Sequence, residues 1–127
     1  MILGTGVDLC EVPRIEAAIQ RHGRRFIERI FTPLEVAYAD AKANRFERYA
    51  ARFAAKEAGM KALGTGWRGG IAWRDFEVVN LPSGRPTLHF HGRAAAIAAK
   101  LGVQRVALSL THTKEQALAM LILENDT

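Results

Sequence analysis

Cysteine occurs once in the 127 residues, at Cys10, so no internal disulfide can form and nothing in the chain requires an oxidising compartment. No local pattern activates that thiol, which is expected as a half-buried strand-end residue. No apolar run approaches the roughly 20 residues of a membrane span, and the opening MILGTGVDLCEV has neither the positive leader nor the continuous apolar core of a secretory signal. A cytoplasmic location without membrane attachment is therefore expected. Low-complexity and proline-rich stretches are also missing, which argues against disorder, and no internal repeat is visible. The length suits one domain and falls short of two, so residues 1–127 are read as a single domain. The glycine-rich stretches at 64–66 and 84 have the wrong lysine and spacing for a P-loop or a dinucleotide fingerprint.

Positive charge is what the chain has in excess. A formal net charge of +5 and a pI near 9.9 favour a polyanionic partner, whether nucleic acid, an acidic protein or a phosphorylated small molecule. Arg14, Arg21 and Arg25 follow one side of the first helical region at spacings of seven and four, with Arg24 and Arg29 nearby. Such a ridge either faces an acidic partner or is a solvated face, and both readings stay open on charge alone.

Residues 2–9 alternate as a strand, with Ile2, Gly4, Gly6 and Asp8 on one side and Leu3, Thr5, Val7 and Leu9 on the other. The two glycines leave the Asp8 side open. Pro13 suits the first turn of a helix on which Ile15, Ala18, Ile19, His22 and Phe26 recur at helical spacing, with Gly23 as an interruption. Thr32-Pro33 opens another helix, roughly 33–42, with Glu35 in the capping-box position. Asn44, followed by Glu47, reads as the N-cap of one long helix that Gly64-Thr65-Gly66 stops. Segments around 72–80 and 86–91 read as a hairpin turned through Pro82-Ser83-Gly84, and 92–102 as an alanine-rich helix closed by Gly102. The remainder reads as two strands around Lys114-Glu115, although EQALAML in the second also holds good helix formers.

At about 100° per residue, Phe46, Tyr49, Phe53, Glu57 and Met60 share one face of the long helix, with Glu57 near the middle of the stripe. A carboxylate there is costly unless protonated, paired or bound to a cation. An i,i+4 salt bridge to Lys61 would satisfy it. So would a cation shared with Asp8, whose own plain alternative is a turn acid after a strand. Two carboxylates without a Cys/His cluster suit Mg²⁺, which keeps several waters and completes its shell with substrate phosphates. That points to phosphoryl or related transfer, with Lys61 neutralising phosphate charge or joining a proton transfer. His112, in phase with Val106, Leu108 and Leu110 and flanked by Thr111 and Thr113, stays open between a half-buried structural histidine and a functional one. A Mg²⁺-dependent transferase, a nucleic-acid-binding module and a Mg²⁺ nuclease all fit parts of this pattern, though no recognised nucleic-acid motif is present.

Three blocks, GVDLCEVPRI at 6–15, RFAAKEAGMKALGTG at 52–66 and SLTHTKEQALAMLILE at 109–124, resemble the holo-acyl-carrier-protein synthases of the 4′-phosphopantetheinyl transferase superfamily. The SGRP turn at 83–86 fits as well, so the resemblance spans nearly the whole chain. It implies the α+β fold of that superfamily, a mainly antiparallel sheet packed against a long central helix. It also implies transfer of 4′-phosphopantetheine from coenzyme A to a serine of apo-acyl carrier protein, releasing adenosine 3′,5′-bisphosphate, with no nucleic-acid partner. Asp8 and Glu57 would hold Mg²⁺ and, with Lys61, form the catalytic group. Arg52, Arg85, Pro86, His112 and Thr113 would grip the nucleotide end of coenzyme A, and Arg45, Phe53 and Gly64 would also contribute to donor binding. Family members resembling this chain are homotrimers with active sites between subunits, and Arg14, Arg21 and Arg25 would dock the acidic carrier. Met60 departs from the serine that many relatives carry before the active-site lysine.

Overall fold

The computed structural model describes residues 1–66 and 68–127. Strand β1 (Ile2–Glu11) passes without a loop into helix α1 (Val12–His22), and Gly23 separates α1 from α2 (Arg24–Ile30). Helices α3 (Pro33–Asp40) and α4 (Arg45–Leu63) follow. A 3₁₀ turn at Trp73–Asp75 leads into β2 (Phe76–Asn80), β3 (Pro86–Phe90), α5 (Gly92–Leu101), β4 (Arg105–His112) and β5 (Gln116–Glu124). The strands form two antiparallel sheets, one ordered β1-β5-β4 and the other the β2-β3 hairpin, so the architecture is α+β.

The segment with mixed propensity, β5, occupies the centre of the larger sheet. Ala117, Ala119, Leu121 and Leu123 alternate inward and are fully buried, and that period of two overrides the helix formers among them. Opposite them β1 turns Gly6, Asp8 and Cys10 inward and leaves Val7 and Leu9 exposed. The side carrying the glycines is therefore not open, as the sequence predicts, but occupied by α4. A methyl group added at Gly4 or Gly6 would fall on the carbonyl oxygen of Ala62 or Ala58 respectively, so strand and helix backbones meet with no side chain between them.

Helix α4 is the axis of the molecule and is buried around most of its circumference, by Ala50, Ala54, Ala55 and Ala58 among others. Across from the larger sheet Gly59 admits the β2-β3 hairpin, since a Cβ there would lie 2.7 Å from Phe76 Cδ1. The helix closes at Gly64, whose left-handed φ of 76° returns its N–H to Met60 and Lys61. Its start differs from expectation: Asn44 makes no side-chain cap, and Glu47 instead reaches His112 on β4.

The most deeply buried charges lie on this helix and on α3. Lys56 and Glu35 are fully buried and pair at 2.8 Å. Glu35 belongs to a formed capping box with Thr32, and its carboxylate accepts from Thr32 N at 2.9 Å and Val78 N at 2.8 Å. Lys56 donates further to the carbonyls of Phe76 and Trp73. Thr32 donates its hydroxyl to Glu77, which also meets His91 Nε2 at 3.0 Å. Burial pulls the Lys56 ammonium down from its ordinary range, opposed by Glu35. Removing one partner of such a pair strands the other, so Lys56→Met should cost about 3–5 kcal/mol, read from urea unfolding. Lys56→Met combined with Glu35→Gln should recover part of that loss; a single variant as stable as the parent would contradict this account.

Candidate active site

β1 and α4 together set the site. Asp8, 8 % exposed, projects from the inward side of the strand two residues beyond Gly6. Glu57 stands on α4 one residue before Ala58, whose carbonyl Gly6 approaches, so the glycine contact brings the two carboxylates together. Lys61, one helical turn further, donates to Asp8 Oδ1 at 3.2 Å and to Val7 O at 2.9 Å. The lysine thus pairs across elements with Asp8 rather than along the helix with Glu57.

A cavity of about 170 Å³ lies against this group, lined by Asp8, Glu57, Cys10, Phe53, Phe26 and Arg14 among others. That volume holds a few waters at roughly 30 Å³ each. It falls below the roughly 300–1,000 Å³ of a small-molecule pocket, so a larger ligand would have to extend over the surface or against a second chain. Glu57 sits in it with a carboxyl held above the ordinary glutamate range. Burial contributes most, followed by the negative charge of Asp8 and hydrogen bonding with it, while Lys61 and Arg14 pull the other way. Burial likewise raises the Cys10 thiol, to about 11, with Asp8 adding to the shift. At neutral pH that thiol is protonated and unreactive.

Among the described residues no cluster of three or more His, Cys, Asp or Glu side chains is placed to hold a metal. The donor set at Asp8 and Glu57 is two hard oxygens from neighbouring carboxylates whose mutual repulsion a cation would relieve, which fits a cation that brings its own waters. It does not fit a soft or fully protein-coordinated ion.

The other expected residues are dispersed. Phe53 lines the cavity and stacks on Trp73 at 4.8 Å between centroids. Gly64 caps the same helix a turn past Met60, whose side chain is buried. Arg45 pairs with Asp40 at 3.3 Å and lies over Phe46. Arg52 is 4 % exposed, packed on Tyr38 and bonded to Asn80. Arg85 and Pro86 line a separate cleft against β4 with Leu81 and Ser109. His112 meets Glu47 at 2.9 Å, and Thr113 shapes the β4-β5 turn by accepting from the amides of Glu115 and Gln116. Arg21 and Arg25 are exposed, but Arg14 reaches the cavity and links the ridge to the carboxylates. Sequence reasoning did not place Ile15, Ala18 and Phe26 at the site. They line its apolar side, and their helical stripe gave no sign that it continued past the core.

Comparison with known proteins gives this geometry a context. The model of the 4′-phosphopantetheinyl transferase superfamily matches residues 4–121. A holo-[acyl-carrier-protein] synthase of Solibacter usitatus is 65 % identical over 125 residues, covering 98 % of this chain and 100 % of that protein. The crystal structure of the synthase from Neisseria meningitidis superposes with a TM-score of 0.89 at 32 % identity, covering 98 % and 100 % of the two chains. That of the Bacillus anthracis enzyme, in complex with CoA (3′,5′-ADP), superposes with a TM-score of 0.80 at 37 % identity, covering 99 % of each.

A carboxyl that titrates higher in the folded chain than in the unfolded one favours the fold at low pH. It withdraws that support as the pH rises from the unfolded value through the folded one. Glu57 should behave so in the metal-free protein. Asp8→Asn should move its titration, followed through the carbon-13 shift of its carboxyl, down toward the ordinary range; an unmoved midpoint would mean that burial alone sets it.

Proposed function

The chain belongs to the 4′-phosphopantetheinyl transferase superfamily, and from that membership we infer how its residues divide the work. The protein is a holo-[acyl-carrier-protein] synthase in activity: it transfers 4′-phosphopantetheine from coenzyme A to a serine of apo-acyl carrier protein. The serine oxygen forms a bond to the phosphorus that carries the pantetheine. The bridging phosphoanhydride bond breaks, and adenosine 3′,5′-bisphosphate leaves with the bridging oxygen. The serine proton leaves to a base at this site, which is Glu57, Lys61 or a water bound there.

Asp8 and Glu57 are the residues that would hold Mg²⁺. When bound, the cation would neutralise charge on the donor pyrophosphate as the anhydride opens. Their adjacency is the single observation that carries this assignment, because a buried and a half-buried carboxylate kept side by side are costly without a cation. Lys61, its protons directed at Asp8 and Val7 O, supplies a positive charge one turn from Glu57 for the departing phosphate. Phe53 and Gly64 border the same region, and Arg45, Arg52, Arg85, Pro86, His112 and Thr113 are assigned to the nucleotide end of the donor.

The cavity is too small for the whole donor, which supports a homotrimer whose active sites lie between subunits. The exposed apolar side of the larger sheet, with Val7, Leu9 and Met120, offers a surface for such contacts. Arg14, Arg21 and Arg25 would steer and orient the acidic carrier, Arg14 nearest the carboxylates. All 127 residues are taken as one domain, working in the cytoplasm; no helix among the described residues is long and apolar enough to cross a membrane.

Two measurements test this reading. Mixed with coenzyme A, Mg²⁺ and apo-acyl carrier protein, the chain should add one phosphopantetheine mass to the carrier. Glu57→Gln should reduce transfer to background with a urea midpoint no lower than the parent's, whereas a fully active variant would remove Glu57 from the mechanism. Light scattering should give three times the 14.0 kDa chain mass, and a monomeric active enzyme would contradict the shared site.

A further inference from the structure

Arg52 and Arg85, both assigned above to the nucleotide end of coenzyme A, are held in opposite ways. The Arg52 guanidinium lies 3.8 Å from the Tyr38 ring centroid and donates through Nη2 to Asn80 Oδ1 at 2.7 Å. Its Nε is buried without a hydrogen-bond partner, which leaves a donor still to be satisfied. Arg85 ends a turn, 81–85, in which every residue is exposed. That turn closes on itself, Leu81 N donating to Arg85 O and Gly84 N to Leu81 O, each at 2.8 Å. Neither bond ties it to α4.

Asn80, the last residue of β2, makes that tie. Its Oδ1 accepts from Arg52, and its Nδ2 donates to Gly84 O at 3.0 Å. The two partners fix the amide's orientation, because a guanidinium only donates and a carbonyl only accepts. One side chain therefore spans the buried arginine of the helix and the exposed turn that presents the second arginine.

We propose that Asn80 is a positioning residue for donor binding, one that ties the exposed Arg85 turn to the buried Arg52 guanidinium and so holds that turn in place for the nucleotide. This rests on the assignment of both arginines to the nucleotide. Asn80 itself touches no reacting atom, so its loss weakens donor binding and leaves the chemical step and the carrier contact alone.

The probe is adenosine 3′,5′-bisphosphate, titrated calorimetrically into the intact protein, alongside KM values for coenzyme A and carrier. Asn80→Leu keeps the size of the side chain and removes both bonds. Its affinity for the nucleotide should fall about tenfold and KM for coenzyme A should rise by a similar factor, with kcat and the carrier KM within about twofold. Asn80→Asp keeps an acceptor for Arg52 but replaces the donor to Gly84, and should show a smaller loss in the same direction. If Asn80→Leu does not fold, Asn80→Asp decides the matter. Nucleotide affinity like that of the parent in a folded variant overturns the proposal, and so does a fall in kcat with KM unchanged. Absence of transfer by the parent chain would instead overturn the functional assignment, which the same titrations keep separate.

Discussion

At Gly4 and Gly6 the backbone of β1 lies against the backbone of α4, and the geometry of the proposed site follows from that contact. Any Cβ at either position would push the helix off the strand. The separation of the two backbones fixes where Asp8 stands relative to Glu57 and Lys61, which come from opposite sides of it. Neither a loop nor a flexible side chain intervenes. Ligands carried on regular elements in direct contact are held more tightly than ligands on loops, and small residues are the means by which those elements come close enough.

The molecule handles buried charge in two contrasting ways. Glu35 and Lys56 form a closed system, in which fixed partners meet the carboxylate and the ammonium from several elements. That arrangement ties α3, α4 and the β2-β3 hairpin into one body. Asp8 and Glu57 form an open system, with a single lysine, a cavity, and one carboxyl that resists ionisation. A fully satisfied network holds structure, and a half-satisfied one waits for something. Both are served by the same helix, Lys56 and Glu57 being adjacent residues pointing into different surroundings.

Much of this was legible in the sequence because it is periodic. The boundaries of α1, α4, α5 and the terminal strands follow from apolar spacing, Pro13 and the glycines at 64 and 102. Glu57 stood out because a carboxylate interrupted an apolar stripe, although its residue is less buried than the alanines on other sides of the helix. Lys56 gives no such signal for the complementary reason: lysine reads as solvent-facing, and the capping box alone accounts for its partner Glu35. From the sequence the glycines of β1 leave space, whereas in the structure they let another backbone occupy it. Side-chain pairings distant in sequence, such as Glu47 with His112 or Arg52 with Asn80, have no local signature at all. The dispersion of the residues proposed to bind the donor is likewise invisible to spacing, since it depends on the tertiary fold rather than on any local pattern.

The passage from β1 into α1 has no connecting residue, and Val12 N is held by Glu115 O at 2.9 Å where the strand becomes a helix. The arginine-bearing helix is accordingly an extension of the strand that carries Asp8. Surfaces borne on loops can be lengthened, shortened or re-angled as lineages diverge, but this one can change only by exchanging side chains on a helix of fixed direction. If the carrier docks on this helix as proposed, retargeting the protein to a new carrier is a problem of substitution and not of insertion. Residues added between Glu11 and Val12 would separate the arginine-bearing helix from the strand that presents Asp8.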